Sequence, residues 1–138
     1  MWGMKLQLSR MYQRQLLDWA TTAGDNECCG LILGYGGLVT EVELTANVSQ
    51  DPQREFEIDP SALIAAEKRM RQGGVSILGY FHSHPNGSPE PSMKDAQFAA
   101  VDGRRWLVIA DGRITSWRPV KNAADGAVTF DFEGFDEG

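Results

Sequence analysis

Histidine and cysteine are scarce: the chain has two of each in 138 residues. The cysteines, Cys28 and Cys29, are adjacent, and neighbouring Cα atoms lie about 3.8 Å apart, short of the disulfide range that starts at about 4.4 Å. That excludes a bridge between them, and one pair without a second is a poor structural metal site. Both read as small apolar residues buried on a strand, in a reducing compartment. Basic residues are also few, 13 against 19 acids for a net charge of -6. They group only at Lys68, Arg69 and Arg71 and at Arg104 and Arg105, which argues against a nucleic-acid partner, because phosphate binding rests on clustered cations. No apolar stretch approaches the roughly 18 residues of a membrane span, and the first residues lack the charged-then-apolar run of a signal peptide. We therefore expect a cytoplasmic protein without a membrane partner. There is no internal repeat and no low-complexity tract. The length suits a single domain, 1–138, with no room for a second. Met1-Trp2-Gly3 ahead of Met4 reads as an alternative start or an unstructured lead.

Helical and extended signals alternate along the chain. Residues 5–8 suit a short strand. Ser9 is placed to cap a helix whose apolar positions Tyr12, Leu16, Trp19, Ala20 and Ala23 recur at helical spacing, and Gly24 ends it. Residues 31–35 and 38–48 pair as a hairpin across Gly36-Gly37. Asp59-Pro60 opens a second helix with Leu63, Ala66 and Met70 on one side and Gly73-Gly74 as its stop. An apolar strand follows over 75–81, then a helix from Ser92, then strands over 106–110 and 114–119 around the Asp111-Gly112-Arg113 turn. Residues 127–132 suit one more strand, and the acidic end to Gly138 is expected to fray. The alternation predicts an α/β (α+β) domain, a mixed central sheet flanked by helices.

Both histidines stand at the end of that apolar strand, in His82-Ser83-His84-Pro85. Residues i and i+2 of a strand face the same way, so the two rings project together and can bite one ion. Zinc takes imidazole nitrogen and carboxylate oxygen at about 2.0–2.1 Å, and catalytic sites keep three protein ligands with a fourth position open. His82, His84 and Asp95 make that count. Two histidines on one face also serve as packing or surface residues, and Ser92-x-x-Asp95 ahead of Ala96, Phe98 and Ala99 is also a plain helix start with its N-cap serine. The two readings of Ser92 and Asp95 are compatible. A helix beginning at Ser92 carries Asp95 in its first turn, and the Pro85-Asn86-Gly87-Ser88-Pro89-Glu90-Pro91 turn swings it back toward the strand end. Ser83, between the two, points to the other face and is not expected to be catalytic.

His-Ser-His, seven residues, Ser, two residues, Asp, with an upstream glutamate, resembles the motif of the JAMM (MPN-plus) metalloproteases. Glu27, in Asn26-Glu27-Cys28-Cys29-Gly30-Leu31-Ile32-Leu33-Gly34, matches that glutamate, including the Gly-Leu-x-Leu-Gly flavour of short bacterial members; by itself it reads as one more solvated acid near a strand end. Trp117 and Phe56-Glu57-Ile58-Asp59-Pro60 also resemble family features. The likeness covers about 5–120 and leaves a tail over 120–138. It implies the cytidine-deaminase-like three-layer MPN/JAMM fold and one Zn2+ per chain held by His82, His84 and Asp95. It also implies Glu27 as general base and Ser92 as hydrogen-bond donor to the oxyanion. The implied activity is hydrolysis of a peptide or isopeptide bond after the Gly-Gly end of a ubiquitin-like or sulfur-carrier protein. The chain has no long insertions between its core elements, which favours a small carrier over ubiquitin itself. Two other assignments compete: a non-catalytic MPN-type scaffold, whose members have lost ligand residues kept here, and a phage-tail or cell-wall peptidase. A zinc deaminase is excluded, because its His-x-Glu and Pro-Cys-x-x-Cys signature is missing.

Overall fold

In a computed structural model, residues 5–137 are described, so Met1-Trp2-Gly3 lies outside the described residues. The chain runs β1 (Leu6–Gln7), α1 (Arg10–Ala23), β2 (Cys29–Tyr35), β3 (Leu38–Thr45), α2 (Pro60–Arg71), β4 (Ser76–Ser83), α3 (Met93–Phe98), β5 (Arg105–Ala110), β6 (Arg113–Lys121), β7 (Val128–Phe132) and β8 (Phe135–Asp136). Local chemistry explains most of these bounds. The β2–β3 hairpin turns on Gly36 and Gly37, whose φ values of 56° and 92° suit residues without a Cβ. The Asp59 side chain accepts the N–H of Ser61 and Pro60 follows it, so the start of α2 is capped and pre-set. Ser9 holds the N-cap position of α1, but its hydroxyl makes no cap bond and is buried without a partner among the described residues.

Among the described residues the strands form one sheet, in the order β7-β6-β5-β4-β2-β3-β1-β8. The β4–β5, β1–β3 and β1–β8 pairs are parallel and the others antiparallel. Alternation along β2 divides the core. Ile32 joins Leu16, Phe81, Leu107 and Ile109 under α1, whereas Leu31 and Leu33 join Ala66 and Ile77 under α2. The two helices thus cover opposite faces, giving the mixed sheet flanked by helices expected from the alternation and the three layers that the family resemblance implies. Close approach at the centre depends on Gly30, where an added Cβ would stand 2.0 Å from the Glu43 carbonyl and 2.5 Å from the Phe81 ring.

Two differences from the sequence-based expectation have physical causes. The strand expected over 38–48 stops at Thr45, because the Asn47 side chain takes over the hydrogen bonding of the following backbone. The acidic end, expected to fray, instead contributes β8. Its residues Phe135 and Asp136 pair with Leu6 and Gln7, and the half-buried Phe135 packs on the core under α1.

The topology brings chemistry to one end of the sheet. The link between parallel β4 and β5 must cross over, and it does so through the Pro85–Pro91 turn and α3. The first turn of α3 is thereby laid against the carboxyl end of β4, the usual location of sites in sheets with parallel strands.

Candidate active site

Three side chains converge at that end. His82 Nε2 stands 3.0 Å from His84 Nε2 and 2.9 Å from Asp95 Oδ2, and His84 Nε2 is 3.2 Å from the same oxygen. The rings come from the last turn of the β4 pleat: His82 pairs across to Cys29 and Val108, and the His84 N–H extends the ladder onto the Ile109 carbonyl at 2.9 Å. Asp95 arrives on α3, whose start is a reciprocal capping box. The Ser92 Oγ accepts the Asp95 N–H at 3.0 Å, and Asp95 Oδ2 accepts the Ser92 N–H at 2.8 Å. Both readings of Ser92 and Asp95 therefore hold together: they cap the helix, and the cap aims the carboxylate at the histidines.

The tautomers show what the cluster can hold. His84 Nδ1 lies 2.9 Å from the Ser88 carbonyl, which can only accept, so that nitrogen carries the proton and a neutral His84 points its Nε2 lone pair at the Asp95 oxygen. Two imidazole nitrogens and a carboxylate oxygen facing one another call for a cation between them or for shared protons. Atoms bonded to zinc at about 2.0–2.1 Å in a tetrahedron stand about 3.3–3.4 Å apart, close to the observed 2.9, 3.0 and 3.2 Å. The donor set and its spacing fit zinc, and the bond from His84 Nδ1 to Ser88 is the kind of outer contact that orients a ligating ring.

Electrostatics agree with a site built for positive charge. Burial by itself would raise the Asp95 carboxyl, but hydrogen bonds from His82, His84 and the Ser92 N–H outweigh it and hold Asp95 well below the usual carboxylate range. Burial keeps the fully enclosed His82 ring below its ordinary value. For His84 the same burial is outweighed by the bonds to Asp95 and Ser88, and the ring rises.

Glu27 completes the group. Its carboxylate and the two histidines each offer a ligand atom within 4.8 Å of the others. It is 5% exposed, and its Oε1 is buried without a hydrogen-bond partner among the described residues. Burial pushes Glu27 up to about 7, with the Asp95 and Glu55 charges adding and His84 and Lys94 opposing. Its backbone is fixed on both sides. The N–H donates to the Pro52 carbonyl at 2.7 Å and the carbonyl accepts from Asn47 Nδ2 at 2.9 Å. The Ser83 hydroxyl accepts the Cys28 N–H at 2.8 Å and so clamps the start of β2, one residue after Glu27, onto the end of β4. Cys28 and Cys29 are buried, unbridged and protonated, since burial pushes Cys29 up to about 11 and raises Cys28 as well.

Sequence reasoning marked Phe56 and Trp117 only as resembling family features, without a role, and passed over Trp106 and Asn47 as supporting residues. Phe56 stacks on the His82 ring, with centroids 4.4 Å apart and planes 19° apart, and Trp106 meets the same ring edge-on at 5.7 Å. These rings wall His82 off from water. They also border a cavity of about 540 Å³ whose lining includes Phe56, Ile58, Leu63, Tyr80, Phe98 and Trp106. Trp117 holds the turn that carries His84's partner: its Nε1–H donates to Thr115 Oγ1 at 2.8 Å, and that hydroxyl donates to the Pro89 carbonyl. Asn47 left no signal beyond an amide at the end of a strand pattern.

Comparison with known proteins places this arrangement among relatives. The family described as prokaryotic homologs of the JAB domain matches residues 9–120. A desampylase from Haloferax volcanii is 32% identical over 99 residues, covering 68% of this chain and 71% of its own. A probable TtuB-protein conjugate cleaving protease from Thermus thermophilus is 39% identical over 76 residues, covering 49% of this chain and 51% of that one. Among solved structures, a solution structure of a protein from Desulfitobacterium hafniense superposes with a TM-score of 0.72 at 28% identity, over 91% of this chain and 89% of that chain.

Proposed function

Since the chain belongs to the prokaryotic homologs of the JAB domain, we propose from that premise that it is a zinc-dependent isopeptidase that releases ubiquitin-like or sulfur-carrier proteins from their conjugates. The observation that carries this is the convergence of His82, His84 and Asp95 at 2.9–3.2 Å beside a buried glutamate with an unpartnered oxygen. The substrate class is supported by relatives named for cleaving such conjugates. The adjacent unbridged thiols fit a cytoplasmic setting.

In this proposal His82, His84 and Asp95 hold the ion. When bound there, zinc would supply a Lewis acid that lowers the pKa of water toward neutrality. Glu27, whose carboxyl burial raises in the metal-free site and a bound cation would favour in its ionised form, takes a proton from the attacking water and delivers it to the leaving amine, so that one carboxyl serves as base and then as acid. Ser92 Oγ already accepts the Asp95 N–H, which leaves its own O–H free to donate to the developing oxyanion. Phe56 and Trp106 keep water off His82 and strengthen every charge interaction inside the site. The cavity of about 540 Å³ beside them offers apolar walls to the carrier's tail, and a Gly-Gly end lies extended there with no side chains to accommodate.

The test presents carrier fusions ending Gly-Gly-X and Ala-Ala-X and an unfolded peptide to the zinc-loaded protein. Gly-Gly-X should be cleaved with kcat/KM at least about tenfold above the others, and turnover should be lost on chelation and in Glu27→Gln. Equal rates on all three point to a broad peptidase. No turnover with zinc bound returns the chain to the scaffold class.

A further inference from the structure

We propose that Asn47 is a positioning residue that ties Glu27 to the wall of the neighbouring cavity, an inference that rests on the reading of Glu27 as the base. Its side-chain amide fills all four of its hydrogen-bonding positions. Nδ2 donates to the Glu27 carbonyl at 2.9 Å and to the Glu55 carbonyl at 3.1 Å. Oδ1 accepts the Ser49 N–H at 3.1 Å and the Glu57 N–H at 3.0 Å. An amide has two donors and two accepting lone pairs, so no capacity is left over, and only Asn or Gln carries that set. Gln would overshoot by one methylene.

The two halves of the amide do different work. The accepting half shapes the loop from Ser49 to Glu57, with support from the Val48 N–H on the Glu57 carbonyl at 2.9 Å and the Asn47–Ile58 bridge. That loop supplies Ser49, Glu55, Phe56 and Glu57 to the cavity wall and, through Phe56, the ring stacked on His82. The donating half holds the Glu27 carbonyl and, in the loop, the Glu55 carbonyl, while the same loop grips the Glu27 N–H through Pro52. The peptide on each side of the base is thus fastened to the element that lines the cavity, and a shift of the loop displaces Glu27 with it. A misplacement of about 1 Å at a reacting group costs about a hundredfold in rate.

The halves can be separated. Asn47→Asp keeps the two accepting positions and removes both donors; Asn47→Ala removes all four. Both variants of the full zinc-loaded chain should retain zinc by elemental analysis. With a Gly-Gly carrier fusion, both should lose kcat by about ten- to a hundredfold, whereas KM should stay within about twofold in N47D, which keeps two of the three bonds to the loop, and rise several-fold in N47A, which keeps none. Amide hydrogen exchange gives a readout independent of turnover: the Ser49 and Glu57 N–H groups should stay protected in N47D and lose protection in N47A. Wild-type kcat in either variant overturns the proposal. So does a loss confined to N47D, which would report its added charge, or a loss that tracks bound zinc. If N47A does not fold, the N47D pattern of lost kcat, kept KM and kept protection decides alone. Glu27→Gln run alongside separates the two claims: if it retains full turnover, Glu27 is not the base, and hydrogen exchange still tests the tether.

Discussion

Replacing Glu27 by glutamine in the metal-free protein isolates what it costs to bury this carboxylate. Burial raises Glu27 to about 7 from an ordinary value of 4.5. Between those values the folded protein keeps a proton that the unfolded chain has released, so this group makes the wild type lose stability as pH rises. The gap from 4.5 to 7 at about 1.4 kcal/mol per pH unit amounts to roughly 3–4 kcal/mol. By the linkage relation, about 2–3 kcal/mol of it falls between pH 5 and pH 8.5. Glutamine does not titrate. The stability of Glu27→Gln minus that of wild type should therefore grow by about 2–3 kcal/mol across that range, with contributions from distant groups cancelling in the difference. Urea unfolding of chelator-treated protein, extrapolated linearly to water at half-unit pH steps, measures it. Zinc should flatten the curve, because a cation beside Glu27 favours the ionised form and offsets the burial. A pH-independent difference in the metal-free proteins would falsify the account, since it would mean that the carboxylate is solvated or already paired.

Three further outcomes are expected. The double variant His82→Ala, His84→Ala should fall from one zinc per chain to the level of chelated protein by elemental analysis; unchanged metal content would return both rings to a packing role. Ser92→Ala should lose about 1 kcal/mol of stability with its cap to the Asp95 N–H and lower kcat by roughly 10²–10³-fold. Reduced stability with full kcat would leave Ser92 a helix cap alone. Gly30→Ala sets a Cβ 2.0 Å from the Glu43 carbonyl and 2.5 Å from the Phe81 ring, and should cost at least about 2 kcal/mol or prevent folding. A melting temperature within about 2 °C of wild type would contradict the close β2–β3 approach.

The parts of the protein legible from sequence are those governed by neighbours along the chain. Strand periodicity sets His82 and His84 on one face, and the capping box of Ser92 and Asp95 is a four-residue event. The Gly36-Gly37 hairpin and the Asp59-Pro60 helix start are equally local, because each depends on backbone preferences of two or three residues. Glu27 is a different case. Nothing in its immediate surroundings marks it out, and it was singled out only through resemblance to a family motif. Its proximity to the histidines arises from β2 pairing with β4 and from the Ser83 hydroxyl holding the Cys28 N–H across 55 positions. The strand order, the pairing of β8 with β1, the Phe56 ring on His82 and the Asn47 amide were likewise decided only by the tertiary structure. Such contacts form between residues far apart in sequence, whose meeting depends on how the layers pack and where the crossover sets α3 down. Thus the sequence determined which groups the protein has for binding an ion and moving a proton, since ligand type, spacing and capping are local chemistry. Only the fold decided which of them meet, how deeply they are buried and how far each is displaced from its ordinary pKa, because burial and convergence are properties of the packed chain.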